Sequence, residues 1–413
     1  MAMKMTNGRR MIWKGLFILL AVLVLQIPIL LVNLLISDRE QMSSETVEEI
    51  SGQYGGKQTI YPPELKLPYK IIETGNKGET VVKNAVHTIA ANDAEVTGNV
   101  QVETLHRSIY DANVYQADLN IEGSFVISSE DMSYFKDKIY MCLTIGEMRG
   151  LEDNIVAVVD GKEYMFDLAD DGLRAEIKTD SLAPGQIINY SIGIKTKGAR
   201  SMRFRPDSKT FKVNITSDHP APSFGGTFLP NERNITNNGF DAQWTITEFN
   251  TFGVHDPSFY VDMIVPVSQY LQTTRATKYS FLIILLVFMA IFLVETISRQ
   301  EVHYIQYVVT GFSLCLFYLL LLSLAEYLSF SWAYLIASGM TVMALGGYFI
   351  GFLKSKTAIG CTAAVTVLYA FIYLLLNLET GSLLVGSLAL FFILCLIMYF
   401  TRKNLSLSRS DDE

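Results

Sequence analysis

The sequence predicts a membrane α + β protein: six transmembrane helices, one N-terminal and five C-terminal, with a large extracytoplasmic antiparallel β-sandwich-like domain between them. Three observations predict it. Apolar residues gather into one long run near the start of the chain and five more in its last third. The basic residues of the short connections all fall on one side when those runs are threaded as spans. The polar stretch between them, about 240 residues, carries a period of two.

The first run, 16–36, has no charged residue and is long enough to cross a hydrocarbon core of roughly 30 Å at about 1.5 Å per residue. Lys4, Arg9, Arg10 and Lys14 precede it, as they would in a secretory signal peptide. Its apolar core exceeds the roughly 7–15 residues of such a peptide, and no small-x-small cleavage site follows, so it reads as an uncleaved signal anchor. Gln26, Pro28 and Asn33 interrupt it, and kink geometry or neighbouring helices must satisfy the backbone group that Pro28 frees. The other spans are predicted at 279–297, 305–325, 330–353, 357–377 and 382–400. With the amino terminus in the cytoplasm, Arg299, Lys354 with Lys356, and Arg402 with Lys403 join the first four basic residues on that side. The loops facing the other way hold Glu326 and Glu379 and no Lys or Arg, the sorting expected when basic residues resist translocation. The chain therefore divides into a cytoplasmic start and signal anchor (1–37), an extracytoplasmic β-rich domain (38–278), a five-helix bundle (279–400) and a cytoplasmic tail (401–413).

The exported domain holds 23 Lys and Arg against 34 Asp and Glu, a net charge near −11, while the rest of the chain is near +3. Nucleic acid is excluded as a partner, since phosphate-backbone binding needs a concentrated basic surface. Of four cysteines only Cys142 lies in this domain, so no internal disulfide can staple it. At its size it needs none. Tyr115, Ala117, Leu119 and Ile121 alternate with polar residues as in a half-buried strand, and Phe240, Ala242, Trp244 and Ile246 do the same. Asn238-Gly239 and Asp160-Gly161 read as type I′ hairpin turns, and Gly75 to Gly78 as a looser one. Strands at this spacing argue for antiparallel sheets packed as a sandwich. Ser43 or Ser44, with carboxylates behind it, caps a predicted short helix to Gln53.

Motifs for chemistry are scarce. His87, His106, His219, His255 and His303 show no metal-ligand spacing and read as ordinary surface or strand histidines. Asp167, Asp171 and Gly172 imitate a calcium loop, but Ala169 and Lys178 replace two ligands, including the bidentate glutamate. There is no phosphate-binding glycine loop, nucleophile elbow or Ser-x-x-Lys set, so no catalytic residue, metal or cofactor is expected.

A longer pattern begins at Tyr54-Gly55-Gly56-Lys57-Gln58 and runs through Pro62-Pro63 to Pro68-Tyr69. It continues with His106-Arg107-Ser108-Ile109-Tyr110, then Pro230 and Arg233 leading to Phe240 and Trp244. It ends with Arg275, Lys278-Tyr279, Glu295, His303, Gln306-Tyr307 and Glu326. In this order the segments resemble the CreD family of bacterial inner-membrane proteins over most of the chain. Pro62 and Ser108 stand where that family usually has glycine, a departure that concerns turn geometry. The resemblance implies a multi-pass inner-membrane protein, both termini cytoplasmic, connected with envelope integrity and the response to wall stress, with no established enzymatic activity.

Ionisable groups near helix ends are the candidate functional residues, because charge in hydrocarbon costs at least about 2.5 kcal/mol. Glu295, His303, Gln306 and Tyr307 can converge at one mouth of the bundle as a relay; the alternative places them in the headgroup layer and aromatic belt. Glu326 with Tyr327, Trp332 and Tyr334 forms a second cluster that can dock the exported domain; the alternative is again an aromatic belt. The segment 262–278 reads as an amphipathic coupler whose Arg275 and Lys278 face phosphate headgroups. Gly346, Gly347 and Gly351 would permit tight helix contact. A non-enzymatic scaffold or sensor, partnered by the bilayer and by an envelope protein or cell-wall component, fits best; a transporter or lipid-handling protein is the alternative. A tethered hydrolase lacks the residues.

Overall fold

The computed structural model describes residues 7–74, 80–136, 138–169, 172–178, 182–263, 269–298, 300–378 and 384–388, with positions 391, 392, 395 and 398. The chain divides into two compact units, Met1–Ser43 with Val267–Glu413, and Ser44–Pro266.

Helices α1 (Asn7–Val24) and α2 (Gln26–Gln53) are separated only by Leu25, whose N–H still donates to the Ala21 carbonyl at 2.9 Å. The break comes three residues before Pro28, which has no N–H to continue the ladder. The expectation of a separate short helix at 43–53 is corrected, since helix continues from Ile12 to Gln53. No Gly or Pro lies between Pro28 and Gly52, so nothing stops the helix there, and Ser43 and Ser44 have no end to cap.

Among the described residues the β unit holds three sheets. The largest has eight strands in the spatial order β15 (Glu232–Thr236), β16 (Gly239–Thr247), β13 (Thr210–Ser217), β4 (Asp93–Arg107), β5 (Tyr110–Val126), β11 (Ile187–Ala199), β7 (Val156–Val159) and β8 (Lys162–Met165). The second runs β3 (Thr80–Ala90), β2 (Glu64–Thr74), β6 (Ile139–Leu143), β10 (Gly172–Ile177) and β9 (Asp167–Ala169). The third runs β1 (Gln58–Ile60), β12 (Ser201–Phe204), β17 (Phe259–Met263) and β14 (Pro222–Gly226). Short helices α3 (Ser129–Tyr134) and α4 (Glu248–Thr251) punctuate the strands. All three sheets bury alternate residues in one shared core, to which β13 contributes Phe211, Val213 and Ile215.

Two of the three sheets are mixed, which corrects the antiparallel expectation: β13 pairs β4 in parallel from Thr210↔Asp93 to Ser217↔Val100, and β1 pairs β12 in parallel, while the five-stranded sheet is antiparallel throughout. Alternation dictates which face of a strand is buried but says nothing about the direction of its neighbour. The Asp160-Gly161 turn forms as expected, with both residues at positive φ between β7 and β8. The second hairpin is shifted from expectation. Thr236 pairs Gly239, so the loop is Asn237-Asn238, without the positive φ values of type I′, and Gly239 is the first strand residue at φ +137°. A Cβ on Gly239 would lie 2.0 Å from the Ser217 carbonyl oxygen, so close strand approach, as well as φ, requires glycine there. Strands β9 and β10 form a hairpin in place of a calcium loop. The expected turn at 75–78 lies outside the described residues, although β2 and β3 pair on either side of it.

The β4–β5 hairpin closes with Ser108 and Ile109, and Ser108 takes φ +59°. A left-handed residue with a Cβ costs roughly 1–2 kcal/mol, part of which glycine returns as unfolded-state entropy. Ser108→Gly is therefore expected to stabilise the β unit by about 0.5–1 kcal/mol, read as a higher unfolding midpoint in detergent; a lower midpoint would contradict the strain.

Beyond the β unit, α5 (Gln269–Lys278) and α6 (Ser280–Ser298) form a bent pair, 43° apart, and α7 (Tyr304–Ala325), α8 (Phe330–Phe352) and α9 (Ser355–Asn377) follow. Four described helices are long and apolar enough to cross a membrane, or five if the bent pair is one span. The sixth expected span, 382–400, lies largely outside the described residues, as do Arg299, Glu379 and the tail 401–413; residues 384–388 are helical. The expected coupler is not one amphipathic segment. Asp262 belongs to β17, α5 begins only at Gln269, and 264–268 lie outside the described residues. Gly346 makes the tight contact expected of it, since a Cβ would lie 3.0 Å from Thr362 Cγ2, while Gly347 and Gly351 face open space.

Candidate functional site

Apolar helices α1, α6 and α7 carry a cluster of polar groups at one end of the bundle, and its centre is Glu295 on α6. Lys14 of α1 forms an ion pair with Glu295 Oε1, and both side chains are only 14% exposed. Lys14 Nζ also donates to the Val302 carbonyl at 2.6 Å and lies 5.6 and 5.9 Å from the ring centres of Tyr304 and Tyr307. The Val302 N–H donates to Glu295 Oε1 at 3.2 Å, and the buried Tyr307 hydroxyl donates to Oε2 at 3.0 Å. Both carboxylate oxygens are thus engaged, and the ammonium meets a charge, a carbonyl and two π faces.

Two of the expected relay residues do something else, which corrects the convergence of all four. His303 caps α7, its Nδ1 accepting from the Ile305 N–H at 3.3 Å, while Gln306 Oε1 accepts from the His303 N–H at 2.8 Å. This is a capping box with histidine at the cap position, and it secures a helix start. Glu326, toward the other end, pairs with Arg39 Nε at 3.6 Å. Tyr327 and Trp332 are exposed beside it, but Tyr334 turns inward and donates to the Tyr369 carbonyl at 2.9 Å, so it is no part of an aromatic belt.

Between these ion pairs the first span is tied to the bundle twice more. A Cβ on Gly311 would lie 2.2 Å from Leu25 Cδ1, so α7 has glycine where the first span presses against it, and Cys315 Sγ lies 3.7 Å from the Leu25 carbonyl. Thr277 Oγ1 donates to Asn33 Oδ1 at 2.6 Å. Lys14 and Arg39 are 25 residues apart, about 37 Å of helix at 1.5 Å per residue, so the two pairs bracket roughly a bilayer's thickness. Sequence reasoning read Lys14 only as an orientation signal; its place on the helical face of Phe17, Ala21 and Leu25, all packed into the bundle, was the available clue.

In the β unit the signature residues build structure. Gln58 is fully buried and shares its Nε2 among the carbonyls of Gly55, Glu147 and Lys197 at 2.9–3.0 Å, while Oε1 accepts from the Glu147 N–H at 3.3 Å. Gly55 (φ +109°) and Gly150 make room for it, since a Cβ on either would strike the Lys197 carbonyl. Pro63 is buried just before β2, and Pro68 lies past the end of the β2–β6 pairing at Lys66, where β2 pairs β3 alone through Pro68↔Val86. Arg107 pairs with Glu49 at 2.9 Å beside the buried Tyr110. Phe240 and Trp244 pack around Phe224, with Trp244 stacked 5.1 Å from Phe259, while Arg233 is exposed on edge strand β15 and Pro230 lies just before it. Arg275 and Lys278 are exposed on α5, and Tyr279 marks the bend to α6. Of the histidines, His87 contacts Asp131 at 2.6 Å and stacks on Tyr134. Burial pushes the Asp131 carboxyl up, but hydrogen bonds from Ser128 and His87 outweigh it and hold it below the ordinary carboxylate range.

A bundle of apolar helices pinned by part-buried ion pairs, in one chain with a large mixed β unit, defines a multi-pass membrane protein. The family model described as "Inner membrane protein CreD" matches residues 10–404, and the chain belongs to that family. A relative is the inner membrane protein CreD of Escherichia coli (strain K12), 29% identical over 417 residues, covering 95% of this chain and 92% of that one. Among solved structures, an M1 zinc metallopeptidase from Deinococcus radiodurans is 10% identical over 42% of each chain with a TM-score of 0.23, a likeness that carries no argument.

Proposed function

We propose that this inner-membrane protein is a non-enzymatic scaffold or sensor of the cell envelope, with both termini cytoplasmic and the β unit outside, where it meets an envelope protein or cell-wall component. The observation that carries this reading is the engagement of both Glu295 oxygens by groups from other segments of the bundle. Lys14, Tyr307 and Val302 donate to both oxygens, filling three of roughly four acceptor sites, and tie the carboxylate into a joint between helices. A transporter or lipid-handling protein is the second reading. In its favour, the hydroxyls of Thr310, Tyr318 and Tyr369 are buried in the bundle without a hydrogen-bond partner among the described residues.

The test is complementation of cells lacking their own copy by a chain carrying Lys14→Met and Glu295→Met together. A joint tolerates an apolar substitute, so envelope integrity under detergent stress is expected to be restored fully. A double variant that inserts at normal levels yet fails to complement would sink the scaffold reading and favour a relay.

A further inference from the structure

The β unit is acidic as a whole, yet one cleft of about 270 Å³ is lined by Lys57, Arg203 and Arg205 with the hydroxyl residues Thr59, Tyr61, Ser201 and Ser258 and a single carboxylate, Asp256. We propose that this cleft binds a phosphate monoester dianion, such as that of a sugar phosphate.

Its floor is the outward face of the third sheet. The parallel register sets Thr59 beside Arg203, and the antiparallel register sets Arg203 opposite Tyr260, while Gln58, Ile60, Met202 and Phe204 point into the core. The charges divide in a way that fixes the ligand's charge. Arg205 is already matched by Asp207, at 3.2 Å, and by Asp256. Among the described residues Lys57 and Arg203 have no carboxylate partner, and Arg203 is instead steadied by the Tyr260 ring, 5.3 Å from its guanidinium carbon. Asp262 lies on the same sheet face, opposite Ser201, and does not line the cleft. Two uncompensated cations within a ring of hydroxyls match one dianionic group with several acceptor oxygens, which a planar guanidinium can engage in bidentate fashion. The hydroxyls and the Tyr61 ring, which lies 5.8 Å from the Arg205 guanidinium carbon, suit the sugar that carries the phosphate. Long-range repulsion by the acidic unit makes weak binding of simple anions the expectation, so recognition depends on these short contacts.

This inference deepens the scaffold or sensor reading by naming a ligand class for the β unit. Its test is a binding assay that needs no envelope phenotype, so the two can fail separately. The full chain in neutral lipid discs is titrated with glucose 6-phosphate, with glucose as the control, and in a second arm the discs contain phosphatidic acid. Saturable binding of glucose 6-phosphate but not glucose is expected, weakened about tenfold or more by Arg203→Ala and by Lys57→Gln, each a single charge-assisted contact. Lys57→Gln keeps the test open if Arg203→Ala misfolds. Phosphatidic acid that displaces the sugar phosphate from the wild-type cleft would support the same phosphomonoester chemistry with a lipid as its source. Absence of saturable binding in both arms, or binding unchanged in Lys57→Gln with Arg203→Ala, overturns the proposal.

Discussion

Lys14→Ala is expected to destabilise the membrane unit by about 3–5 kcal/mol, because it strands the Glu295 carboxylate in a bundle interior that supplies no other cation among the described residues. Glu295→Ala should cost a comparable amount, since it strands the ammonium and also removes the acceptor of the Tyr307 hydroxyl and the Val302 N–H. Together, Lys14→Met and Glu295→Met should recover most of the loss, because the apolar pair removes both charges and fills a similar volume. The expected result is thus a large negative coupling in a double-mutant cycle, read from unfolding of the full chain in mixed micelles. Additive losses would mean that the two side chains stabilise the bundle through separate contacts, and that the joint is not an ion pair in solution.

Gln58→Leu should cost about 4 kcal/mol, among the largest effects available to one substitution in the β unit. Leucine fills much of the same space, so the loss comes from polar groups left unmet: three carbonyls and the Glu147 N–H, drawn from the end of α2, the turn at Met148–Gly150 and strand β11. Gln58→Glu separates shape from chemistry. It keeps the outline and the acceptor, but it has no N–H donor and turns a carboxylate toward three carbonyl oxygens, so it should be at least as damaging. Proteolysis of the β unit in membranes checks both; a glutamate variant as resistant as wild type would show that the amide's donors are not what closes the knot.

Much of the fold was legible in the residues. Helices α7, α8 and α9 begin and end within two residues of the apolar runs that predict them, because hydrophobic length and helix length are the same constraint in a bilayer. The alternation in β5 and β16 likewise identified their buried faces. Where the reading missed, the deciding signal was not local. The boundary placed at Ser43 relied on a cap that matters only if the upstream chain is not already helical.

The site was half legible for the same reason. Glu295, Tyr307 and Glu326 stand out because polar groups beside apolar spans are costly, and that cost follows from composition alone. Their partners do not stand out: Lys14 lies 281 residues from Glu295, and Arg39 follows the first span at a position any surface arginine could hold. By itself, the sequence determined the apolar helices α6 to α9, the strand faces and the CreD resemblance, since each depends on the periodicity, length or order of nearby residues. Only the tertiary structure decided that β4 lies parallel to β13, that Gln58 binds three segments, and that the first span is held to the bundle by ion pairs at Lys14 and Arg39. Those facts depend on which distant groups meet once water is excluded, and no local pattern encodes that choice.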